Sequence, residues 1–324
     1  MRFATLRDGS RDGMLLLVDR TGERAVDAST IAPNLQAALD AWELLEPDFR
    51  ALAERLEADP ALGAPLDPRH LCAPLPRAFE WIDASSFLNH VRLVRRARNS
   101  SPPESLESEP LVYQGGSGVL LGPTHDLELP EPAWGLDFES EICAVLGDVP
   151  IGTRASQAES YVRLFLLAND LTYRNLVSPE LKKGFGFFQS KPATTFAPFA
   201  ITPDELGDAF HDGRVWLRVR SILNGELLGN VEAGRGMHFS FLDLIEHVSE
   251  TRAFTAGTIL GSGTVSSEDR TQGVSCLVER RALETIELGA PTTAYLNNGD
   301  RIRIEMLDEQ GRSLFGAIDQ RVTA

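Results

Sequence analysis

The sequence has few cysteines and lacks a long apolar run, and each absence excludes a class of protein. The three cysteines, Cys72, Cys143 and Cys276, are an odd number at wide spacing. We interpret them as reduced and buried, which favours a cytoplasmic protein over a secreted disulfide framework. No apolar stretch approaches the roughly 20 residues that a membrane span needs. Charge follows Met1 too soon for a signal peptide, so we expect no membrane association.

Basic charge is scarce beside acidic charge. The chain has 31 Lys and Arg against 47 Asp and Glu, which gives a net charge of −16. Nucleic-acid-binding proteins carry basic patches that neutralise phosphates, so this balance argues against a nucleic-acid partner. One basic cluster, Arg92, Arg95, Arg96 and Arg98, falls on a predicted helix. A solvated helix face or a clamp for an anionic substrate explains this cluster better than a DNA contact.

Several catalytic signatures are missing as well. The sequence has no His/Cys pattern for zinc and no Gly-x-Ser-x-Gly nucleophile motif. Residues 261–264, Gly-Ser-Gly-Thr, lack the Gly-Lys-Ser/Thr of a phosphate-binding P-loop, so a tight turn is the simpler interpretation. The chain also has no internal repeat and no low-complexity segment.

The most informative feature present is an acidic segment over residues 136–146. Apolar residues alternate there with Asp137, Glu139 and Glu141, and this period of two predicts a β-strand with the three acids on one face. A second buried segment, residues 164–168, runs into Asn169 and Asp170.

Paired acids on one strand face have an energetic cost that a metal ion can reverse. Carboxylates about 7 Å apart repel by roughly 2–2.5 kcal/mol at an effective dielectric of about 20. A cation between them turns this repulsion into attraction, and oxygen ligands favour Mg²⁺, Ca²⁺ or Mn²⁺. From spacing alone, a solvated acidic face explains the pattern equally well.

Other candidate residues carry weaker signals. His90 falls on a helix predicted to begin at Ser85, after Asp83, where a packed histidine is the simpler interpretation. Lys191 lies in a loop, where an exposed lysine is the simpler interpretation. Glu279 and Tyr113 have no signal of their own.

The pattern along the chain suggests two units, residues 1–75 and 76–324, separated by a proline-rich stretch. In the first unit we predict a helix over about residues 35–57, broken or kinked at Pro47. In the second, Asn224 and Gly225 predict a hairpin turn, residues 241–248 a short helix, and residues 300–315 a second hairpin.

Taken together, these segments resemble the fumarylacetoacetate hydrolase family, most closely its bacterial fumarylacetoacetases of about this length. The resemblance covers nearly the whole chain and is carried, in order, by residues 81–90, 110–114, 136–141, 169–175, 189–192, 261–264 and 299–316. It implies an α+β fold in which a small β-rich N-terminal domain precedes a catalytic domain of rolled, mostly antiparallel sheets. Members of this family are usually dimeric, so it also implies a homodimer.

The resemblance further implies roles for individual residues. It implies metal ligands at Asp83, Glu139, Glu141 and Asp170, with Lys191 and Thr195 in the metal region, and substrate contacts at Tyr113, Thr264, Ser85 and Arg98. His90 resembles the general base that activates water, and Glu279 the acid that orients it. Lys191 resembles a donor that stabilises an oxyanion. The expected cofactor is a divalent metal, Mg²⁺ first, with Ca²⁺ and Mn²⁺ as alternatives.

The activity that the resemblance implies is metal-dependent hydrolysis of a carbon–carbon bond in a β-diketo acid. Its leading substrate is fumarylacetoacetate, which is split into fumarate and acetoacetate in tyrosine and phenylalanine catabolism. Acylpyruvate hydrolysis and oxaloacetate decarboxylation or tautomerisation are the alternatives on the same scaffold. A non-catalytic, metal-stabilised scaffold or binding protein is the alternative from a different class. It predicts an incomplete set of site residues, whereas the set in this sequence is complete. The chain departs from the animal enzymes after Arg174, where it has Asn-Leu-Val and no substrate-binding glutamine.

Overall fold

The computed structural model describes residues 1–97 and 100–324, so Arg98 and Asn99 lie outside it. Within these ranges the chain forms twenty strands. They are β1 (Arg2–Leu6), β2 (Met14–Val18), β3 (Arg24–Asp27), β4 (Ala64–Pro65), β5 (Trp81–Ala84), β6 (Val112–Gly115), β7 (Leu127–Glu128), β8 (Leu136–Asp137), β9 (Ser140–Leu146), β10 (Val162–Asp170), β11 (Thr172–Tyr173), β12 (Thr194–Phe196), β13 (Ala200–Ile201), β14 (Phe210–His211), β15 (Arg214–Val215), β16 (Arg218–Leu223), β17 (Glu226–Glu232), β18 (Ile259–Gly261), β19 (Arg301–Leu307) and β20 (Ser313–Thr323).

Short helices connect these strands. The α-helices in the described ranges are α1 (Leu35–Asp40), α2 (Trp42–Ala58), α3 (Leu88–Ala97), α4 (Ala155–Ala158), α5 (Arg174–Leu181), α6 (Pro203–Leu206), α7 (Ala233–Gly236), α8 (Phe241–Ser249) and α9 (Leu277–Leu288). Single 3₁₀ turns lie at Pro68–His70, Pro132–Trp134, Glu159–Tyr161, Gly207–Ala209 and Arg270–Gln272. Within the described part of the chain, none of these helices is long and apolar enough to span a bilayer.

The larger sheet combines strands from residues 2–65 with strands from residues 81–261. Its strands run β4-β3-β2-β1-β13-β10-β9-β18-β5-β6, with β12 also paired to β10. The pairs are antiparallel apart from β18 with β5, which is parallel. Because β1 pairs with β13, the first four strands extend the sheet that carries β9, which we call the acidic strand. One sheet thus crosses the predicted boundary near residue 75, and the division into two units stays a prediction.

The second sheet has the order β17-β16-β19-β20-β7 and contains both predicted hairpins. Asn224 and Gly225 form the two-residue turn between β16 and β17 with φ angles of 52° and 85°. Asn and Gly tolerate this left-handed region better than other residues, which is why the pair marks a turn. The mostly antiparallel α+β architecture confirms the predicted fold class.

The helix predicted over residues 35–57 is in fact two helices, and the break falls at Ala41 rather than at Pro47. Pro47 lies inside α2, which continues to Ala58. The face of α2 that carries Trp42 and Phe49 is buried against Phe3 of β1. This packing offsets the backbone hydrogen bond that proline cannot donate.

The larger sheet lies between two apolar cores, which explains why every residue of β9 is buried. Ile142 and Ala144 face one core, whereas Cys143 and Val145 face the other. The acidic strand is therefore not half-exposed, and the solvated-face interpretation of its acids is wrong.

Candidate active site

Three carboxylates meet where neighbouring strands of the larger sheet end. Oxygens of Asp83, Glu141 and Asp170 lie within 4.8 Å of one another, and all three residues are buried. They come from β5, β9 and β10. Between β5 and β9 runs β18, where a side chain at Gly261 would collide with the Asp83 carboxylate. Glycine at this position therefore lets Asp83 lie over β18 towards Glu141.

The donor set of this cluster fits a hard divalent cation. Neither oxygen of Glu141 has a hydrogen-bond partner among the described residues, although both are buried. Burial and the negative charge of Asp170 raise the pKa of Asp83 to about 8. Burial and the charges of Asp83 and Asp170 likewise raise the pKa of Glu141 well above its usual value. Buried acids that repel one another, one of them with no hydrogen-bond donor, are an arrangement that a cation stabilises.

Lys191 lies beside the cluster, between Asp170 and Glu139. Its ammonium group is 2.6 Å from Oδ2 of Asp170 and also contacts Glu139. Although burial opposes it, the charges of these two acids raise the pKa of Lys191. Tyr113 donates to the same Asp170 oxygen at 2.6 Å. Lys191 is therefore a fixed buried cation and not the exposed loop lysine that its sequence context suggests.

Glu139 lies beside the three-carboxylate cluster and is held by cations. Nη2 of Arg174 is 2.6 Å from Oε1 of Glu139, while Nε of Arg174 is 2.8 Å from Asp137. Although burial opposes it, the charges of Arg174 and Lys191 hold the pKa of Glu139 well below its usual value. The structure thus places Glu139 in an ion-pair network next to the other three predicted ligands.

His90 lies on α3 and faces the same space. Its Nδ1 atom is 2.9 Å from Oε1 of Glu279, which lies in the first turn of α9. Its Nε2 atom is 3.9 Å from Oε1 of Glu139. A carboxylate on Nδ1 favours the tautomer in which Nε2 is an acceptor. The imidazole can therefore take a proton from a molecule that lies beside the acidic strand.

A cavity of about 280 Å³ connects these groups. It is lined by Asp83, Glu139, Glu141, Lys191 and His90 at its polar part. Another part of the wall is apolar and is formed by side chains before and within α3, within α5 and in the loop that follows α5: Phe87, Val91, Val94, Val177, Leu181 and Phe187. The cavity thus offers charged groups to one part of a bound molecule and hydrocarbon to another.

The other predicted site residues have differing positions. Ser85, Thr264 and Tyr113 line the cavity. Arg98 lies outside the described residues. The structure places the hydroxyl of Thr194, not Thr195, 2.7 Å from Asp170.

Thr195 instead accepts a hydrogen bond from Gln320 at 3.0 Å. Successive residues of β12 face opposite sides of the sheet, so the hydroxyl of Thr195 points away from Asp170 while that of its neighbour Thr194 faces it.

Sequence reasoning missed two charged residues of this site, Arg174 and Asp137. Both stand inside the segments that carried the family resemblance, but neither was given a role. Asp137 is fully buried and accepts hydrogen bonds from the amides of Leu277 and Val278. The available signal was the apolar context of both charges, since a charge buried among apolar residues needs a partner.

Comparisons with known proteins agree with this geometry. A family model described as fumarylacetoacetate (FAA) hydrolase C-terminal matches residues 81–323, and fumarylacetoacetase N-terminal domain 2 matches residues 1–77. The mitochondrial oxaloacetate tautomerase FAHD1 of Bos taurus is 29% identical over 197 residues, which cover 59% of this chain and 83% of that protein.

Two solved structures share the fold over 100% of this chain and 99% of theirs. Fumarylacetoacetate hydrolase from Exiguobacterium antarcticum has a TM-score of 0.69 at 18% identity. Maleylpyruvate hydrolase from Sphingobium sp. SYK-6, in complex with manganese(II) and pyruvate, has a TM-score of 0.67 at 16% identity. Since the C-terminal model alone matches well over half of the sequence and the sheets have the expected arrangement, the chain belongs to the fumarylacetoacetate hydrolase family.

Proposed function

We propose that this protein is a metal-dependent hydrolase that cleaves a carbon–carbon bond in a β-diketo acid. The observation that carries the proposal is the pairing of His90 with Glu279 beside a buried three-carboxylate cluster. Hydrolysis needs a base for water, whereas enolate chemistry alone does not. The pair therefore favours hydrolysis over the other reactions considered for this scaffold.

Asp83, Glu141 and Asp170, with Glu139 beside them, would hold the cation, with Mg²⁺ proposed first and Ca²⁺ or Mn²⁺ as alternatives. When bound, such an ion withdraws electrons from the diketone oxygens and stabilises the enolate that departs. All four residues are buried, so bulk water does not solvate their negative charges and a cation is needed to balance them.

The chain's own residues supply the proton transfers. His90 takes a proton from water at Nε2, while Glu279 holds Nδ1 and stabilises the imidazolium that results. The same imidazolium can then return the proton to the departing carbanion. Lys191 provides a fixed positive charge close to Glu139 and Asp170 and is the proposed donor to the tetrahedral oxyanion.

The acyl arm of the substrate separates the candidates. Fumarylacetoacetate has a second carboxylate on this arm, and Arg95, which also lines the cavity, offers it a partner. The apolar wall between α3 and α5 favours instead an acylpyruvate with a hydrocarbon tail, because an unpaired carboxylate there would be desolvated. Val177, in the region where animal enzymes have a substrate glutamine, belongs to this apolar wall. Fumarylacetoacetate remains the first candidate from resemblance and acylpyruvates the second.

The experiment that tests the proposal is kcat/KM for fumarylacetoacetate, a series of acylpyruvates, and oxaloacetate, each with Mg²⁺ and with excess chelator. We expect hydrolysis of a dioxo acid that disappears with chelator. Oxaloacetate turnover faster by an order of magnitude would favour the tautomerase or decarboxylase alternative and contradict hydrolysis. The Arg95→Gln variant should raise KM for fumarylacetoacetate only, so an unchanged KM would favour acylpyruvates.

We also propose a cytoplasmic homodimer, on the resemblance to dimeric members of the family. Light scattering after size exclusion should give twice the chain mass of 35.5 kDa. A single-chain mass at micromolar concentration would contradict the dimer and leave the proposed chemistry unaffected.

A further inference from the structure

Helix α9 begins without a cap from its own sequence. Its N-cap residue, Cys276, is extended and makes no side-chain hydrogen bond to the helix. The first backbone amides of a helix have no partner within the helix and need an acceptor from elsewhere. Here the carboxylate of Asp137 supplies it, accepting from Leu277 at 2.7 Å and from Val278 at 2.9 Å.

This cap comes from a strand that is distant in sequence, and it affects what Glu279 can do. Glu279 is the third residue of α9. In a capping box, an acid at this position turns back towards the N-cap amide and is used by the helix itself. Here the Glu279 carboxylate points to His90 instead, with 2.9 Å between Oε1 and Nδ1, while Asp137 holds the first turn in place through the amides of the two preceding residues.

Asp137 also connects α9 to the acidic strand. Its Oδ2 atom accepts from Nε of Arg174 at 2.8 Å, and Nη2 of the same arginine donates to Glu139 at 2.6 Å. One buried carboxylate therefore contacts the helix that carries Glu279 and the arginine that holds Glu139. Asp137 itself is fully buried and does not line the cavity.

We propose that Asp137 is a positioning residue that caps α9 from another strand and thereby aims Glu279 at His90. The inference rests on the proposed function of the His90–Glu279 pair as the base for water. It assigns Asp137 no contact with substrate. Loss of the cap should let the first turn of α9 shift, and displacement of a catalytic group by about 1 Å can cost on the order of 10²-fold in rate.

The test compares Asp137→Asn with Glu284→Gln. Glu284 lies on the same helix and also accepts from two backbone amides, those of Thr292 at 2.6 Å and Thr293 at 2.8 Å. Both variants should lower Tm, because each weakens an acceptor that holds α9. Only Asp137→Asn should lower kcat, by on the order of 10²-fold, with KM nearly unchanged. Equal kcat in the two variants would overturn the proposal and leave Asp137 a stabilising cap alone.

A second readout needs no substrate. A proton on Nδ1 of His90 that is bound to Glu279 should give a low-field imidazole signal in the ¹H NMR spectrum, identified by its loss in His90→Gln. The signal should persist in Glu284→Gln and move or vanish in Asp137→Asn. If it does so while the wild-type protein hydrolyses no dioxo acid, the positioning role stands and the proposed function fails.

The wild-type protein provides a third readout in case Asp137→Asn does not fold. The amides of Leu277 and Val278 should exchange with deuterium slowly, unlike the first-turn amides of a helix with no acceptor. Rapid exchange of both amides would show that Asp137 does not cap α9 and would overturn the proposal.

Discussion

Nε2 of His90 lies 3.9 Å from Oε1 of Glu139, which brings the proposed base against the acidic strand. Helix α3 carries His90, whereas Glu139 directly precedes β9, so the site is assembled from a helix face and a strand end. Because His90 and the carboxylates lie on different elements, His90 can be replaced without changing the carboxylates, and a carboxylate can be replaced without changing His90. Mutation can therefore separate proton transfer from metal binding.

We expect His90→Ala to reduce kcat by about 10²–10⁴-fold, the usual range for loss of a general base. Affinity for Mn²⁺, measured by calorimetry, should stay near the wild-type value because His90 is not part of the carboxylate cluster. Glu226→Gln, an exposed change on β17, is the control and should leave kcat unchanged. A near-normal rate for His90→Ala would mean that His90 is only a packed helix residue.

We expect Glu141→Gln to weaken Mn²⁺ binding by at least on the order of 10²-fold. Changes to residues that merely orient a ligand already cost about 10–100-fold, and neither carboxylate oxygen of Glu141 has a hydrogen-bond partner among the described residues. Calorimetric titration measures the effect, with the exposed Glu226→Gln as the control. Unchanged affinity would remove Glu141 from the metal site.

We expect Arg174→Met to destabilise the protein by about 3–5 kcal/mol, the usual effect of removing one partner of a buried ion pair. The change removes the cation that pairs with the buried carboxylate of Asp137 and leaves Glu139 with Lys191 alone. Urea unfolding should show this loss. Arg301→Met breaks a pair with Asp319 in which the arginine is 67% exposed, so it should cost only about 0–1 kcal/mol. Equal losses in the two variants would contradict a central role for the buried network.

Local patterns in the sequence were sufficient to predict several elements. The Asn224–Gly225 turn and helix α8 both depend on residues within a few positions of one another. The break between α1 and α2 was misplaced, because the packing of Trp42 and Phe49 decides whether a helix tolerates Pro47. Such long-range packing is not visible in a local pattern.

The site residues show the same limit. Period-two alternation predicted one strand over residues 136–146, which the structure divides into β8 and β9, with Glu141 on β9 and Glu139 just before it. Spacing could not distinguish a metal site from a solvated face. The cap that Asp137 provides to α9 joins Asp137 to Leu277, which is 140 positions away in sequence. A local sequence pattern cannot predict such a contact. Thr194 and Thr195 differ by one position, so only the register of β12 on β10 decides which hydroxyl faces Asp170.

The loop that leads into Lys191 is held by the carboxylate of Glu180, and we expect acid to weaken this contact. The Glu180 carboxylate accepts from the amides of Phe188 at 3.0 Å, Gln189 at 2.7 Å and Ser190 at 3.0 Å. Although burial opposes it, these bonds and one from the Ser190 hydroxyl lower the pKa of Glu180 from 4.5 to about 2. A carboxyl group whose pKa is lower in the folded state stabilises the fold above its unfolded pKa, and this contribution is lost as pH falls.

The stabilisation from Glu180 should therefore be complete above about pH 5 and decline between pH 4.5 and pH 2. Glu180→Gln cannot titrate, so the difference in free energy of unfolding between wild type and variant should be constant from pH 8 to about pH 5 and then narrow. Urea unfolding at a series of pH values measures this difference, with Glu309→Gln in an exposed turn as the control. A difference that stays constant down to pH 3 would show that the folded-state pKa of Glu180 is not lowered. The loop would then be held by neutral hydrogen bonds alone, and Lys191 would keep its position in acid.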